Sequence, residues 1–209
     1  MRVNEIFYSL QGEGHHTGRA AIFVRLAGCN LACPFCDTDF RHFSEMSEQE
    51  VVEAILQLLP KGMVHTGESQ SLGLPMVVLT GGEPTLQDTA PLIELLHRQG
   101  FFVSMETNGT HQPPANIDWI TFSPKTPKMG NTRQPAVLSR CNELKLVYTG
   151  DDEEPSDFDH FPADHYYLQP CDTGDDQQNI HILKACIAYI QAHPRWHLSL
   201  QVHKIAGFK

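Results

Sequence analysis

The 209-residue chain lacks any run of lysine and arginine, and its 15 basic residues against 25 acidic ones give a formal net charge of -10. Clusters of basic side chains hold phosphate backbones, so this charge argues against nonspecific nucleic-acid binding. The sequence also lacks a bilayer-length apolar stretch and an amino-terminal signal peptide. We therefore expect a cytoplasmic protein, in a compartment where thiols stay reduced.

A second cysteine pair is also absent, although Cys29, Cys33 and Cys36 stand close together with the spacing C-x3-C-x2-C. Structural zinc sites take four protein ligands, usually from two pairs, so zinc remains an alternative only with His15 or His16 as fourth ligand. A four-iron cluster takes one thiolate per iron, and three thiolates leave one iron open for a small molecule. The scattered cysteines are expected to be small buried apolar residues: Cys141, Cys171 and Cys186.

Strand-like and helix-like segments alternate along a chain whose length and 41% hydrophobic content predict a single domain over residues 1–209. Seven strands are predicted at residues 20–26, 75–80, 101–105, 119–122, 143–148, 166–168 and 197–202. Helices are predicted after the capping box at Ser47–Glu50, around Leu92–Gly100 and over 176–192. The proline- and glycine-rich connections 106–118, 126–142 and 149–165 leave no room for full helices. The pattern predicts an α/β fold, a partial, eroded (β/α) barrel with about six or seven strands.

Polar segments follow the ends of the predicted strands. Ligands of parallel sheets bind at the carboxyl ends of the strands, so these segments are expected to form one site. They are the cysteine loop, Gly81–Pro84, Glu106–Gly109, Ser123–Lys125 and Gln169–Asp172.

Two of these segments suggest contacts to a charged ligand. Gly81 and Gly82 have no side chains, so backbone carbonyls there can approach a cationic amine closely. Lys125, with Ser123 beside it, can pair with a carboxylate, although an exposed surface lysine is the alternative. Glu106 is either a further contact to the amine or only a carboxylate at a strand end.

The cysteine spacing, with Phe35 directly before the last cysteine, resembles the signature of the radical S-adenosylmethionine superfamily. The resemblance implies a 4Fe-4S cluster on the three cysteines, whose open iron chelates S-adenosylmethionine and whose electron releases a 5'-deoxyadenosyl radical. The stretch Gly81–Pro84 resembles the superfamily motif that holds the methionine amino group. The implied cofactor-binding residues are Cys29, Cys33, Phe35, Cys36, Asp37, Gly82, Glu83, Glu106, Ser123, Pro124, Lys125, Gln169, Pro170, Cys171 and Asp172.

The stretch Gln11–Gly14 narrows the resemblance from the superfamily to one of its families. With Gly18–Asn30, Thr80–Pro84, Glu106–Thr110 and later motifs, it resembles the 7-carboxy-7-deazaguanine synthase family nearly end to end. This implies a carbon–nitrogen lyase of the queuosine precursor pathway, which contracts 6-carboxy-5,6,7,8-tetrahydropterin to the 7-deazapurine. Ammonia is lost and S-adenosylmethionine is regenerated.

The resemblance also implies substrate and metal contacts. Thr38 would give an oxygen to Mg2+, with Asp37 or Asp39 as competing ligands and a simple turn cap as the alternative. Arg25 would face the substrate carboxylate, where a guanidinium fits two oxygens, unless it is only a charge at a strand edge. The implied substrate-binding residues are Leu10, Gln11, Gly12, Glu13, Arg25, Thr80 and His203.

Partners follow from the resemblance as well: a flavodoxin-like or ferredoxin-like electron donor and a homodimer, with neither nucleic acid nor membrane. Two alternatives remain, an activase that places a glycyl radical on a partner protein and a non-catalytic zinc or iron–sulfur module. The final Ile205–Lys209 matches nothing that assigns it a role.

Overall fold

The structure is a computed structural model that describes residues 1–34, 36, 42–60, 73–125, 135–150 and 155–209. Its strands are β1 (Arg2–Leu10), β2 (Ala20–Leu26), β3 (Ser44–Glu45), β4 (Met76–Gly81), β5 (Val103–Thr107), β6 (Trp119–Phe122), β7 (Cys141–Tyr148), β8 (Ala163–Pro170) and β9 (Trp196–Leu198). Its helices are α1 (Glu48–Gln57), α2 (Ala90–Arg98), α3 (Asp176–Ala192) and α4 (Val202–Ala206).

All described strands form one sheet in the order β3-β1-β2-β4-β5-β6-β7-β8-β9. The pairs from β2 to β9 are parallel, and β1 and β3 extend this sheet antiparallel at one edge. The seven parallel strands coincide with the seven predicted ones, so the sequence prediction of an α/β fold with about six or seven barrel strands is confirmed. The antiparallel strand β1 was not predicted.

Three helices begin and end where local sequence signals put them. At α1, the Ser47 hydroxyl accepts from the Glu50 amide and the Glu50 carboxylate accepts from the Ser47 amide at 2.7 Å, the predicted capping box.

The predicted last strand is shorter than expected, because β9 ends at Leu198 and Val202 already begins α4. No described helix is long and apolar enough to cross a membrane.

Two apolar clusters hold the sheet to its helices. The first joins α1 and α2 to β2, β4 and β5, with Ile55, Leu92 and Leu79 fully buried. The second joins α3 to β7, β8 and β9, with Cys186 and Trp196 buried at its centre. Cys141 and Cys171 are also buried, so the expectation for the three scattered cysteines is confirmed.

The loop 11–19 connects β1 to β2 and packs against β7 and the segment that follows β9. Its Gly14 amide donates to the Ser199 hydroxyl at 2.9 Å, and its His15 amide donates to a Glu143 carboxylate oxygen at 3.2 Å. Gly14 has a φ of +65°, and an added Cβ would lie 1.9 Å from Glu143 Oε1. Glycine is therefore required where the loop meets β7.

Candidate active site

One cavity of about 800 Å³ opens where the parallel strands end, and loop 11–19 and α4 supply further parts of its wall. It brings together residues that are far apart in sequence, as predicted from their positions at the carboxyl ends of the strands. The predicted residues that line it are Leu10, Gln11, Gly12, Glu13, Arg25, Cys29, Cys33, Cys36, Thr80, Gly82, Glu106, Ser123, Lys125, Gln169, Pro170, Cys171, Asp172 and His203.

The three clustered cysteines all lie on the cavity wall as thiols that form no disulfide. Cys29 and Cys33 are partly buried and Cys36 is exposed. Burial raises the pKa of the Cys29 and Cys33 thiols, and for Cys33 the ammonium of Lys125 acts in the opposite direction. The residues present suit an iron–sulfur cluster, since their three thiols share one loop and face one cavity.

Among the described residues, no three His, Cys, Asp or Glu side chains form a group that could hold a metal ion. The predicted positions Phe35, Asp37 and Thr38, and the competing ligand Asp39, lie outside the described residues.

Gly81 and Gly82 place the end of β4 against the cysteine loop. The Gly82 amide donates to Leu26 O and the Glu83 amide to Gly28 O, each at 2.9 Å. A Cβ at Gly82 would lie 1.9 Å from Gly28 O. The glycine pair therefore has a packing role in addition to the predicted opening of backbone toward an amine.

Glu83 lies beneath this loop with 1% of its surface exposed. Its Oε1 accepts from the hydroxyls of Thr85 and Thr107 at 2.6 and 2.7 Å, and its Oε2 accepts from the Asn108 amide at 2.7 Å. These bonds fasten the loop after β4 to the loop after β5. The carboxylate is thus occupied within the protein, and Pro124 is likewise buried beside the wall. Cofactor contacts of Glu83 and Pro124 stay predictions.

Lys125 lies on the cavity wall with its ammonium donating to Ser123 Oγ at 2.6 Å and to Ser123 O at 3.1 Å. Burial lowers the pKa of Lys125, against the opposing effect of the Cys33 thiol. The lysine is therefore held over the cysteine loop and is not an exposed surface side chain, which favours the predicted pairing with a carboxylate.

A buried ion pair forms the opposite part of the wall. Lys145 Nζ, on β7, donates to Glu13 Oε2 at 2.5 Å and lies 3.6 Å from Glu106 Oε1. The other Glu13 oxygen accepts from Gln201 Nε2 at 3.0 Å. Burial alone would raise the pKa of Glu13, but Lys145 and its hydrogen bonds lower it to about 2. Glu13 is thus an ionised acceptor inside the cavity.

Glu106 is tied to two predicted substrate residues. Its oxygens accept from Thr80 Oγ1 at 2.9 Å and from Gln11 Nε2 at 3.2 Å. The carboxylate at the end of β5 therefore joins the wall that carries Glu13.

Arg25 is paired at the edge of the cavity. Its Nε donates to Glu5 Oε1 at 2.9 Å, and the second Glu5 oxygen accepts from the ammonium of Lys209 at 2.5 Å. The chain end is thereby fixed to β1, and Lys209 itself lines the cavity.

His203 is placed by the packing of α4 on the loop 11–19. The Val202 amide donates to Gly12 O at 3.0 Å, and a Cβ at Gly12 would lie 2.6 Å from His203 Nδ1. The carboxyl-terminal segment thus covers the loop that carries the predicted substrate residues.

Sequence reasoning missed Lys145, Gln201 and Lys209 as wall residues, and it missed Glu5 as the partner of Arg25. For Lys145 a signal was available: Glu143 and Lys145 are charges at alternate positions of an otherwise apolar strand, so both point to one face. Two ionisable groups on a buried strand face need partners for their charges. The sequence does not identify these partners, because they lie far from β7 along the chain.

Comparisons with known proteins agree along the whole chain. The Radical SAM superfamily profile matches residues 24–128. The 7-carboxy-7-deazaguanine synthase of Bacteroides thetaiotaomicron is 42% identical over 209 residues, covering 100% of this chain and 98% of that protein. The 7-carboxy-7-deazaguanine synthase of Bordetella pertussis is 42% identical over 216 residues, covering 98% and 97%.

A solved structure is similar as well. The crystal structure of QueE from Escherichia coli superposes with a TM-score of 0.72 at 32% identity, covering 97% of this chain and 94% of that one. With relatives this similar over their full length, the chain belongs to the 7-carboxy-7-deazaguanine synthase family of the radical SAM superfamily.

Proposed function

We propose that the protein converts 6-carboxy-5,6,7,8-tetrahydropterin to 7-carboxy-7-deazaguanine with loss of ammonia, a step toward the queuosine precursor. The observation that carries the proposal is one cavity with the three cysteines on one side and the ionised Glu13 on the other. The names of the full-length relatives agree with it.

Glu13 provides the recognition of the pterin ring. An aminopyrimidinone edge presents N–H donors, and an ionised carboxylate offers only acceptors, so the two are complementary. Gln201 donates to one oxygen of this carboxylate, and Gln11 and Leu10 line the same cavity. The donor edge of the pterin ring is thus recognised by the first residues of the loop 11–19.

Arg25 binds the substrate carboxylate from the edge of the cavity. Its guanidinium is already paired with Glu5 through Nε, and a planar guanidinium has several donors to share between two carboxylates. Thr80 and His203 complete the enclosure of the substrate.

Cys29, Cys33 and Cys36 would hold a 4Fe-4S cluster at which S-adenosylmethionine binds. The reduced cluster would supply the electron that releases the 5'-deoxyadenosyl radical from S-adenosylmethionine, and that radical would take the C6 hydrogen of the pterin. Lys125 pairs with the methionine carboxylate, and the segment Gln169–Asp172 contacts the rest of the cofactor. Gly82 keeps the backbone open toward the methionine amine. The electron comes from a flavodoxin-like or ferredoxin-like donor in the cytoplasm, and the enzyme works as a homodimer.

Mg2+ is the remaining component, with Thr38 and the substrate carboxylate as its oxygen ligands. Mg2+ takes hard oxygen ligands in near-octahedral geometry and shares them with substrate and water. In a Mg2+ titration of turnover, Thr38→Ala loses the stimulation with the cluster spectrum intact, whereas Thr38→Ser keeps most of it. A Thr38→Ala response equal to that of the unmodified enzyme contradicts this ligand.

The test of the function is anaerobic iron–sulfur reconstitution followed by mass-spectrometric product analysis with the tetrahydropterin and S-adenosylmethionine. The proposal expects 7-carboxy-7-deazaguanine. An activase of a partner protein cleaves the cofactor but leaves the pterin unchanged, and a non-catalytic binding module cleaves nothing. Either of these two outcomes rejects the proposal.

A further inference from the structure

Lys145 is a buried charge that the proposed chemistry leaves without a role. The residue is 5% exposed, on the interior strand β7, yet its ammonium reaches the cavity. It donates to Glu13 Oε2 at 2.5 Å and lies 3.6 Å from Glu106 Oε1. One positive charge therefore stands between two carboxylates that face the substrate volume.

We infer that Lys145 is a positioning residue, which keeps the carboxylate of Glu13 ionised and aimed so that it accepts hydrogen bonds from the donor edge of the pterin. The inference rests on the proposed function, because it assumes the pterin as ligand. It adds a residue of β7 to the recognition of that ligand.

The charge balance of the site supports this role. The titratable groups around the pair of Lys145 and Glu13 are Glu143 of β7, Glu106 of β5 and Lys125 after β6, and His203 of α4 lines the same cavity. Burial would lower the pKa of Lys145, but the surrounding carboxylates outweigh it and raise that pKa. Lys145 therefore stays charged across the physiological pH range.

Loss of the Lys145 charge would change the protonation state of Glu13. Burial and two neighbouring carboxylates both favour the protonated acid once the ammonium is gone. A protonated carboxyl presents its own O–H toward the N–H donors of the pterin, so acceptor and donor no longer match. The carboxylate of Glu13 becomes an acceptor again only when the pH rises above the raised pKa of Glu13.

The test measures pterin binding directly. The probe is 6-carboxypterin, the stable aromatic form, titrated anaerobically into reconstituted enzyme with S-adenosylmethionine between pH 5.5 and 7.5. The variants are Lys145→Met, which keeps the stem and removes the charge, and Lys145→Arg, which keeps the charge. Lys184→Met makes the same change at an exposed position of α3 and is the matched control.

The dissociation constant of the unmodified enzyme and of Lys184→Met is expected to stay nearly constant over this range. Lys145→Met is expected to bind about tenfold more weakly at pH 5.5, because a carboxyl whose pKa is raised to about one unit above that pH is only about one-tenth ionised, and to recover as the pH rises. Lys145→Arg is expected to show no such pH dependence. Cluster absorbance and melting temperature identify a misfolded variant.

The double variant Glu13→Gln with Lys145→Met keeps the inference testable if the single variant does not fold. It removes the charge and its partner together, and we expect weak binding that does not vary with pH. Lys145→Met binding as tightly as the unmodified enzyme, or equally weakly at every pH, overturns the inference. So does a double variant whose affinity still rises with pH.

The same titration separates this inference from the proposed function. Unmodified enzyme that neither binds nor converts the pterin rejects both. Unmodified enzyme that binds and converts it, together with an unaffected Lys145→Met variant, rejects the role of Lys145 alone.

Discussion

The two sides of the cavity differ in how the chain assembles them. The cysteine side consists of Cys29, Cys33, Cys36, Gly82 and Lys125, each in a short segment that follows a strand end. The charged side consists of Gln11, Glu13, Glu106, Lys145 and Gln201.

Its central contact, from Lys145 to Glu13, joins residues 132 positions apart, and the contact from Gln201 to Glu13 spans 188. The three cysteines of the first side thus lie within eight residues of sequence, whereas the contacts of the charged side depend on the completed sheet. The difference predicts separable roles: cofactor chemistry on the cysteine side and substrate recognition on the charged side.

The largest expected effect is on the cysteine side. Replacing Cys33 with Ala removes one of the three thiolates that the cluster needs, so iron–sulfur absorbance and S-adenosylmethionine cleavage should both fall to background. The measurement is the visible spectrum after reconstitution, with cleavage followed chromatographically. Cys186→Ala, deep in the second apolar cluster, is the control and should keep both. A cluster that survives in Cys33→Ala would refute the assignment.

A smaller and more selective effect is expected on the charged side. Glu13→Gln keeps the shape but removes the charge, and kcat/KM for the pterin should fall about 100-fold, the equivalent of ~3 kcal/mol for one partner of a buried charge pair. Slow S-adenosylmethionine cleavage and the cluster spectrum should remain. Steady-state kinetics measure this effect, with the exposed Glu94→Gln as control.

Arg25→Ala should show the same selective pattern with a smaller loss, about tenfold, because its pair with Glu5 is only partly buried. If either variant loses cofactor cleavage in parallel with pterin turnover, the two sides are not separable.

The loop that carries the charged side should be sensitive to packing. Gly14→Ala puts a Cβ against Glu143 at a positive φ, whereas Gly18→Ala meets nothing within 4 Å at a φ of +85°. Gly18→Ala should cost ~1–2 kcal/mol of unfolding free energy from backbone strain. Gly14→Ala should cost ~1–3 kcal/mol more from overpacking. Urea unfolding of both variants measures the difference, and equal losses contradict the contact with Glu143.

The smallest expected effect is the response of the same loop to pH. Burial, Arg19 and the neighbouring histidines lower the pKa of His16 from 6.5 to about 4. Between these values the unfolded chain binds a proton that the folded chain does not, so stability falls as the pH drops from 6.5 toward 4.

The loss attributable to His16 should be about 1–2 kcal/mol, since its partial exposure screens the charge. Unfolding free energies at pH 7 and pH 5 measure it, with His16→Phe retaining the packing against Trp119. A variant that loses as much stability on acidification as the unmodified protein contradicts this assignment.

The contrast between the two sides of the cavity also explains which parts of the fold and of the site could be predicted from the sequence. The seven parallel strands were predictable because each is a short apolar run that ends in a polar segment. The antiparallel β1 was not, since Arg2–Leu10 mixes charged and apolar residues and its pairing with β2 is set by the connection between the two strands. Thr38 carries the proposed Mg2+ contact and lies outside the described residues.

Among the site residues, Lys125 was predictable because it directly follows a strand end. Lys145 was not assigned, because its meaning depends on Glu13, which only the fold brings within 2.5 Å. The role of Glu83 was also underestimated: its motif points to the cofactor, while its carboxylate joins two loops through Thr107 and Asn108.

The most direct measurement of the central claim is a mass balance under anaerobic conditions with limiting S-adenosylmethionine and excess 6-carboxy-5,6,7,8-tetrahydropterin. If both sides of the cavity act on one substrate, each S-adenosylmethionine should support several molecules of 7-carboxy-7-deazaguanine, with one ammonia released per product. Consumption of S-adenosylmethionine with the pterin unchanged would contradict the account.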